Sequence, residues 1–139
     1  MKRILLDANV LLSFLTDRNE AQQKRAAVLF HGAAERKHSL AVHSVTLMET
    51  VYVLTQLYGV DLEEAAGSLR DLLALPGLAA ASALSWERVF EVWPRTISSL
   101  GDAILAAVAA EGGYDAVATF DVALRKKLAR QGSVSYWRG

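Results

Sequence analysis

Cysteine is absent from the 139 residues. That excludes disulfides, thiolate zinc sites and cysteine nucleophiles together, and it suits a reducing cytoplasm. Proline is nearly absent too, at two residues, and glycine is held to nine, too few for a disordered or low-complexity chain. Net charge is missing: 15 Lys and Arg balance 15 Asp and Glu. There is then no overall basic footprint, and a nucleic-acid partner has to use a local patch. Long apolar runs are missing as well. The longest stretch without a charged residue, Leu72 to Trp86, is broken by Pro76-Gly77 and is too short to span a bilayer. Lys2-Arg3 before an apolar stretch imitates a signal peptide. Asp7 and Asn9 interrupt that stretch, and Asp17, Arg18 and Glu20 follow where small residues would be wanted. The expectation is a soluble, untargeted protein with no membrane partner.

What is present is enough apolar material for one core. Hydrophobic residues make up 53% of the chain, and the length fits a single domain over 1–139. Short apolar runs alternate with helical patterns. Strands are predicted at Arg3 to Leu6, Ser39 to Val42, Leu78 to Ser82, Ala116 to Phe120 and, last, Ser133 to Trp137. Helices are predicted at Ala8 to Leu15, Glu20 to Lys37 (with Ala27, Phe30 and Ala34 on the apolar side), Val45 to Tyr58 behind a Ser44 cap, and after an Asp61/Glu64 capping box. Ser85 caps a short helix that Pro94 stops. Asp102 starts "DAILAAVAAEGG", and Asp121 caps a helix to Arg130. Such alternation implies an α/β domain with a mostly parallel sheet covered on both faces.

Four acids stand in apolar company. Asp7 follows Ile4-Leu5-Leu6, Glu49 sits in "TLMETVYVL", Asp102 precedes "AILAAVAA" and Asp121 follows "AVATF". Each has a plain reading. Aspartate is a favoured helix N-cap, which would account for Asp7, Asp102 and Asp121. Glu49 can face water on a thin polar stripe with Thr46 and Thr50. Jointly they suggest more. Asp7 and Asp121 end strands, and ligands of open parallel sheets bind outside the carboxyl ends, where strand order reverses. If the first strand neighbours the one at Ala116, those acids converge, Asp102 joins at a helix start, and Glu49 joins about a turn into its helix. Two unit charges about 4 Å apart repel by roughly 4 kcal/mol at an effective dielectric near 20. Such a cluster takes up protons or binds a cation. Oxygen ligands without thiolates or paired histidines suit Mg²⁺ or Mn²⁺, and acid-held metals of that kind hydrolyse phosphodiesters through an activated water.

The pieces "LLDANVLL", "MET-VYVL", "GDAILAAVAA" and "GGYDAVATFD", with a closing basic helix, spread over nearly the whole chain. In that order they resemble the PIN-domain nucleases, and within them the ribonuclease toxins of bacterial and archaeal VapBC toxin–antitoxin pairs. The resemblance implies a three-layer α/β/α sandwich around a central, mostly parallel sheet of four or five strands. It implies that Asp7, Glu49, Asp102 and Asp121 form a catalytic acidic quartet around Mg²⁺ or Mn²⁺, supported by Asn9 and Thr119. It implies endonucleolytic RNA cleavage, an antitoxin partner covering the acids, and a homodimer. The stretch "WPRTISSLGD" before Asp102 departs from the family pattern.

Other features are weighed beside this. After Asp121 no acid occurs, while Arg125, Lys126, Lys127, Arg130 and Arg138 do. Arg125 and Lys126 are candidate phosphate contacts, against the plain reading of a solvated helix face. His31, His38 and His43 are too scattered for a metal site, and a surface role is expected. Trp86, Trp93 and Trp137 fit core or subunit contacts better than base stacking. Tyr52, Leu57 and Tyr58 are candidates for a dimer or antitoxin surface. Two competing functions remain open. One is a PIN-like module that grips RNA or a protein without cutting. The other is an aspartyl-phosphate phosphatase, for which Asn9 stands where a second aspartate would be wanted.

Overall fold

Ile4, Leu5 and Leu6 are wholly buried, and their alternation explains both faces of the sheet. In this computed structural model, which describes residues 1–138, β1 (Arg3–Leu6) lies inside a four-stranded sheet. It pairs in parallel with β2 (Ser39–His43) on one side and β4 (Ala116–Ala118) on the other. β3 (Leu78–Ala81) pairs in parallel with β2 at the edge. The order is β3-β2-β1-β4.

Successive strand residues point to opposite faces. Leu5, Ala41 and Val117 face one core, packed by α6 (Leu100–Glu111), α7 (Val122–Arg130) and Val89 of α5 (Trp86–Val92). Ile4, Leu6, Leu40, Val42, Ala116 and Ala118 face the other, covered by α1 (Ala8–Leu15), α2 (Glu20–Ala34) and Leu72 of α4 (Leu62–Leu73). The result is the expected three-layer α/β/α sandwich. The alanine-rich α6 suits helix formation, and its side chains are buried from Ala103 to Ala109. Between β2 and α4, α3 (Ser44–Tyr52) packs against α1 and α6, one helix from each outer layer.

Several boundaries differ from the sequence expectation. The fifth strand, Ser133 to Trp137, is reduced to one bridge, Val117 to Ser135. Val117 alone exchanges both its backbone bonds with that segment, through Val134 and Tyr136. β4 stops at Ala118 because the next free amides turn to side chains: Phe120 donates to Asn9 and Asp121 to Thr119. The Val45 to Tyr58 helix is α-helical only to Tyr52 and continues as a π-helix over Val53–Leu57. Thr50 and Thr55 there bond back to the carbonyls four residues earlier, which strains the regular ladder. α2 ends three residues early, as Arg36 takes a left-handed φ of 61°. Its buried face is Ala26, Leu29, Phe30 and Ala33 rather than Ala27, Phe30 and Ala34, because Leu29 and Phe30 together offer the larger apolar area. Asp61 caps α4 through the amide of Glu63, without a reciprocal Glu64 contact.

Candidate active site

The chain runs β1, β2, β3 outward on one side and returns with β4 on the other, so strand order reverses between β1 and β4. Leu6 pairs with Ala118 at their carboxyl ends. Asp7 is the next residue, and its amide donates to the Ala118 carbonyl at 3.0 Å. The acids ending these two strands are therefore neighbours, as their positions in the sequence suggested.

A buried hydroxyl ties them. Thr119 is 1% exposed. Its Oγ1 donates to Asp7 Oδ2 at 2.7 Å and accepts from Asn9 Nδ2 and the Asp121 amide, each at 3.1 Å. One donor and two acceptor sites are thereby filled, all that a hydroxyl has. Asn9 Oδ1 accepts from the Phe120 amide at 3.2 Å. Asp7 Oδ1 accepts from the Ala8 amide at 2.8 Å, and Asp121 Oδ1 from Leu124 at 3.1 Å. The capping reading is thus correct for Asp7 and Asp121, and the same side chains stand at the switch point.

For Asp102 the capping reading fails. Ser99 is the N-cap of α6, and its Oγ accepts from the Asp102 amide at 3.2 Å. Asp102 lies inside the first turn with its carboxylate spared that duty. Nor does Glu49 share a watery stripe with Thr46 and Thr50, since both threonines are buried. Glu49 as a residue is exposed, but its carboxyl end lies over the first turn of α6, beside Gly101.

The four acids feel one another. Burial raises Asp7 above the usual carboxylate range, against the lowering bonds from Thr119 and Ala8, and the charges of Asp102 and Asp121 raise it further. Burial, then the charges of Asp7 and Asp102, push Glu49 up to about 6. Asp102 is raised by burial and by Asp121, with Lys127 pulling the other way. The two ion pairs among the described residues, Lys37–Glu35 and Arg88–Glu111, include none of the four. The mouth of the sheet gathers negative charge, opposed at Asp102 by Lys127 and neutralised by no ion pair among the described residues. Among the described residues no three His, Asp or Glu side chains are arranged to grip one ion by themselves.

The PIN domain family matches residues 4–128, from β1 through most of α7. The chain belongs to the PIN-domain family. The fold is shared with solved structures of low identity. One is VapC20 of Mycobacterium tuberculosis, a sarcin-ricin-loop-cleaving toxin (TM-score 0.71, 18% identity, 97% of this chain and 99% of that one). Another is PAE2754 of Pyrobaculum aerophilum (TM-score 0.64, 17% identity, 94% and 96%). A third is VapBC2 of Rickettsia felis, bound to a DNA fragment from its promoter (TM-score 0.65, 15% identity, 96% and 96%). No curated protein sequence matches the chain.

Not every predicted residue of this PIN domain reaches the acids in the expected way. Arg125 Nε donates to the Thr119 carbonyl at 3.0 Å, so it braces the end of β4. Lys126 points to solvent. The cation whose field reaches Asp102 is Lys127, which the sequence reading passed over. His43 is not a surface residue: it is 3% exposed. Its Nδ1 accepts from the Val45 amide at 3.1 Å, which makes His43 the cap of α3 in place of Ser44. That fixes the proton on Nε2, 3.1 Å from the Ala83 carbonyl. Trp137 stacks on Phe120, centroids 4.4 Å apart, next to Asp121. No helix of the described residues is long and apolar enough to cross a membrane.

Proposed function

We propose that this PIN domain is a divalent-metal-dependent endoribonuclease, the toxin of a type II toxin–antitoxin pair. The observation that carries the reading is that Asp7, Glu49 and Asp102 are each raised by burial and by the charge of at least one other acid of the four, and that none of the four is held in an ion pair. Carboxylates held this way bind protons or cations. The donor set is all oxygen, which suits Mg²⁺ or Mn²⁺. Mg²⁺ keeps several waters and takes only one or two carboxylates plus substrate phosphate, so it does not require a three-side-chain grip. When bound, the metal activates water and stabilises the charge of the transferring phosphate.

The chain's own residues have separable tasks. Thr119 and the Ala8 amide hold the Asp7 carboxylate in one orientation, and Asn9 fixes the turn that presents Asp121. Asp102 and Glu49 supply oxygens not committed to capping. Lys127 places one positive charge at the rim, where a phosphate would approach. The likeness to VapC20 and VapBC2 supports RNA as substrate and an antitoxin as partner. A cytoplasmic homodimer completes the reading. Met48 and Tyr52 on α3, with Leu57 and Leu62 beyond, are exposed apolar side chains suited to a dimer or antitoxin contact.

The test is cleavage of RNA with Mg²⁺ or Mn²⁺, before and after Asp7→Asn and Asp102→Asn. Both variants are expected to be inactive; undiminished cleavage by either sinks the assignment. The missing three-acid grip is the one observation that favours a non-cutting RNA- or protein-binding module. Titration with Mn²⁺ separates the two, since such a module shows no saturable site at the acids.

A further inference from the structure

Gly101 occupies the second position of α6, where nothing in the backbone asks for glycine. Its φ is not among the positive values, which belong to Gly59, Gly77, Gly113 and Gly132. Inside a helix, glycine is less favourable than alanine. What the position does demand is empty space. A Cβ built on Gly101 would stand 2.5 Å from Glu49 Oε2, 3.1 Å from its carboxyl carbon and 3.3 Å from Oε1. Apart from α6's own neighbouring residues, its three nearest atoms all belong to that one carboxylate.

Resting on the nuclease reading above, we propose that Gly101 is a positioning residue: the volume of its missing side chain is the seat of the Glu49 carboxylate. Residue 101 then sets how far Glu49 reaches from α3 toward Asp7 and Asp102. Glu49 is the only one of the four acids that arrives on a long side chain from an exposed helical position. It has most rotamer freedom to lose, and a shaped seat restricts that freedom. A methyl group at 101 cannot share the space, so the carboxylate has to move by about 1 Å to reach ordinary contact. A displacement of that size near reacting groups costs up to about 100-fold in rate.

The experiment is a double-mutant cycle on the full chain, read by Mn²⁺ titration calorimetry, metal-free melting and RNA cleavage. Gly101→Ala is expected to melt at the wild-type temperature or above it, while binding Mn²⁺ about 10-fold more weakly and cleaving more slowly. In a Glu49→Ala background the same change at 101 is expected to lower Mn²⁺ affinity no further. Wild-type Mn²⁺ affinity in Gly101→Ala overturns the proposal. So does an equal loss of affinity with and without Glu49. A lowered melting temperature overturns it too, because it puts the clash in the helix packing. A wild-type chain that takes up no Mn²⁺ removes the nuclease reading itself, which is a separate failure.

Discussion

The acids at the strand ends and the acids on the helices are held by different means. Asp7 and Asp121 are wired into the backbone: each caps a helix, and both connect to the Thr119 hydroxyl, one by its side chain and one by its amide. Asp102 and Glu49 have no such duty. Ser99 caps the helix that bears Asp102, and Glu49 rests against a glycine. The difference teaches that charge clustering and structural support are separable. At the strand ends one side chain does both. On the helices, capping has been passed to a neighbour, which leaves the carboxylate free.

The sharpest way to break this comparison is at Asp102. Asp102→Asn is expected to lower metal-dependent RNA cleavage by at least about 100-fold. Its metal-free melting temperature should hold or rise, since a repelling charge is gone and the cap remains. A clear fall in melting temperature would show that the carboxylate is structural after all. Thr119→Val makes the opposite case. It strips a partner from Asp7 Oδ2, Asn9 Nδ2 and the Asp121 amide at once, and chemical denaturation should show a loss of about 1–3 kcal/mol. Thr119→Ser, which keeps the hydroxyl, should recover most of it. Ser99→Ala should cost about 1 kcal/mol through the lost cap, measured the same way, with Asp102 still present to bind metal.

The smallest effect is on pH. Glu49 titrates near 4.5 when unfolded and at about 6 when folded. The folded state then holds more protons between those values, so stability falls as pH rises through that window. The advantage is fully present below 4.5 and gone above about 6. Asp7 and Asp102, also raised, act in the same direction. Melting of the metal-free chain should show this decline, and Glu49→Gln should flatten part of it. An unchanged profile in Glu49→Gln would mean that Asp7 and Asp102 alone carry the repulsion.

Much of the site was legible because local rules governed it. Asp7 and Asp121 follow buried strands, and the apolar runs before them are unmistakable. Glu49 and Asp102 were visible as charges in apolar surroundings. What misled was competition between neighbours for the same local role. Ser99, three residues earlier, rather than Asp102 caps α6, and His43 rather than the adjacent Ser44 caps α3; both members of each pair are chemically suited to the role. The fourth strand stopped short, at Ala118, for a related reason. Side chains of Asn9 and Thr119 took the next amides, which a longer ladder needed.

The sequence by itself determined the alternation of strands and helices, the absence of thiol chemistry and the identity of the acids. These follow from residue type and spacing along the chain. Tertiary structure alone decided that β4 lies beside β1, that Lys127 rather than Lys126 faces Asp102, and that Glu49 has a seat at Gly101. Those depend on contacts between residues far apart in the chain, where packing and desolvation act through space and local pattern carries no trace of the partner.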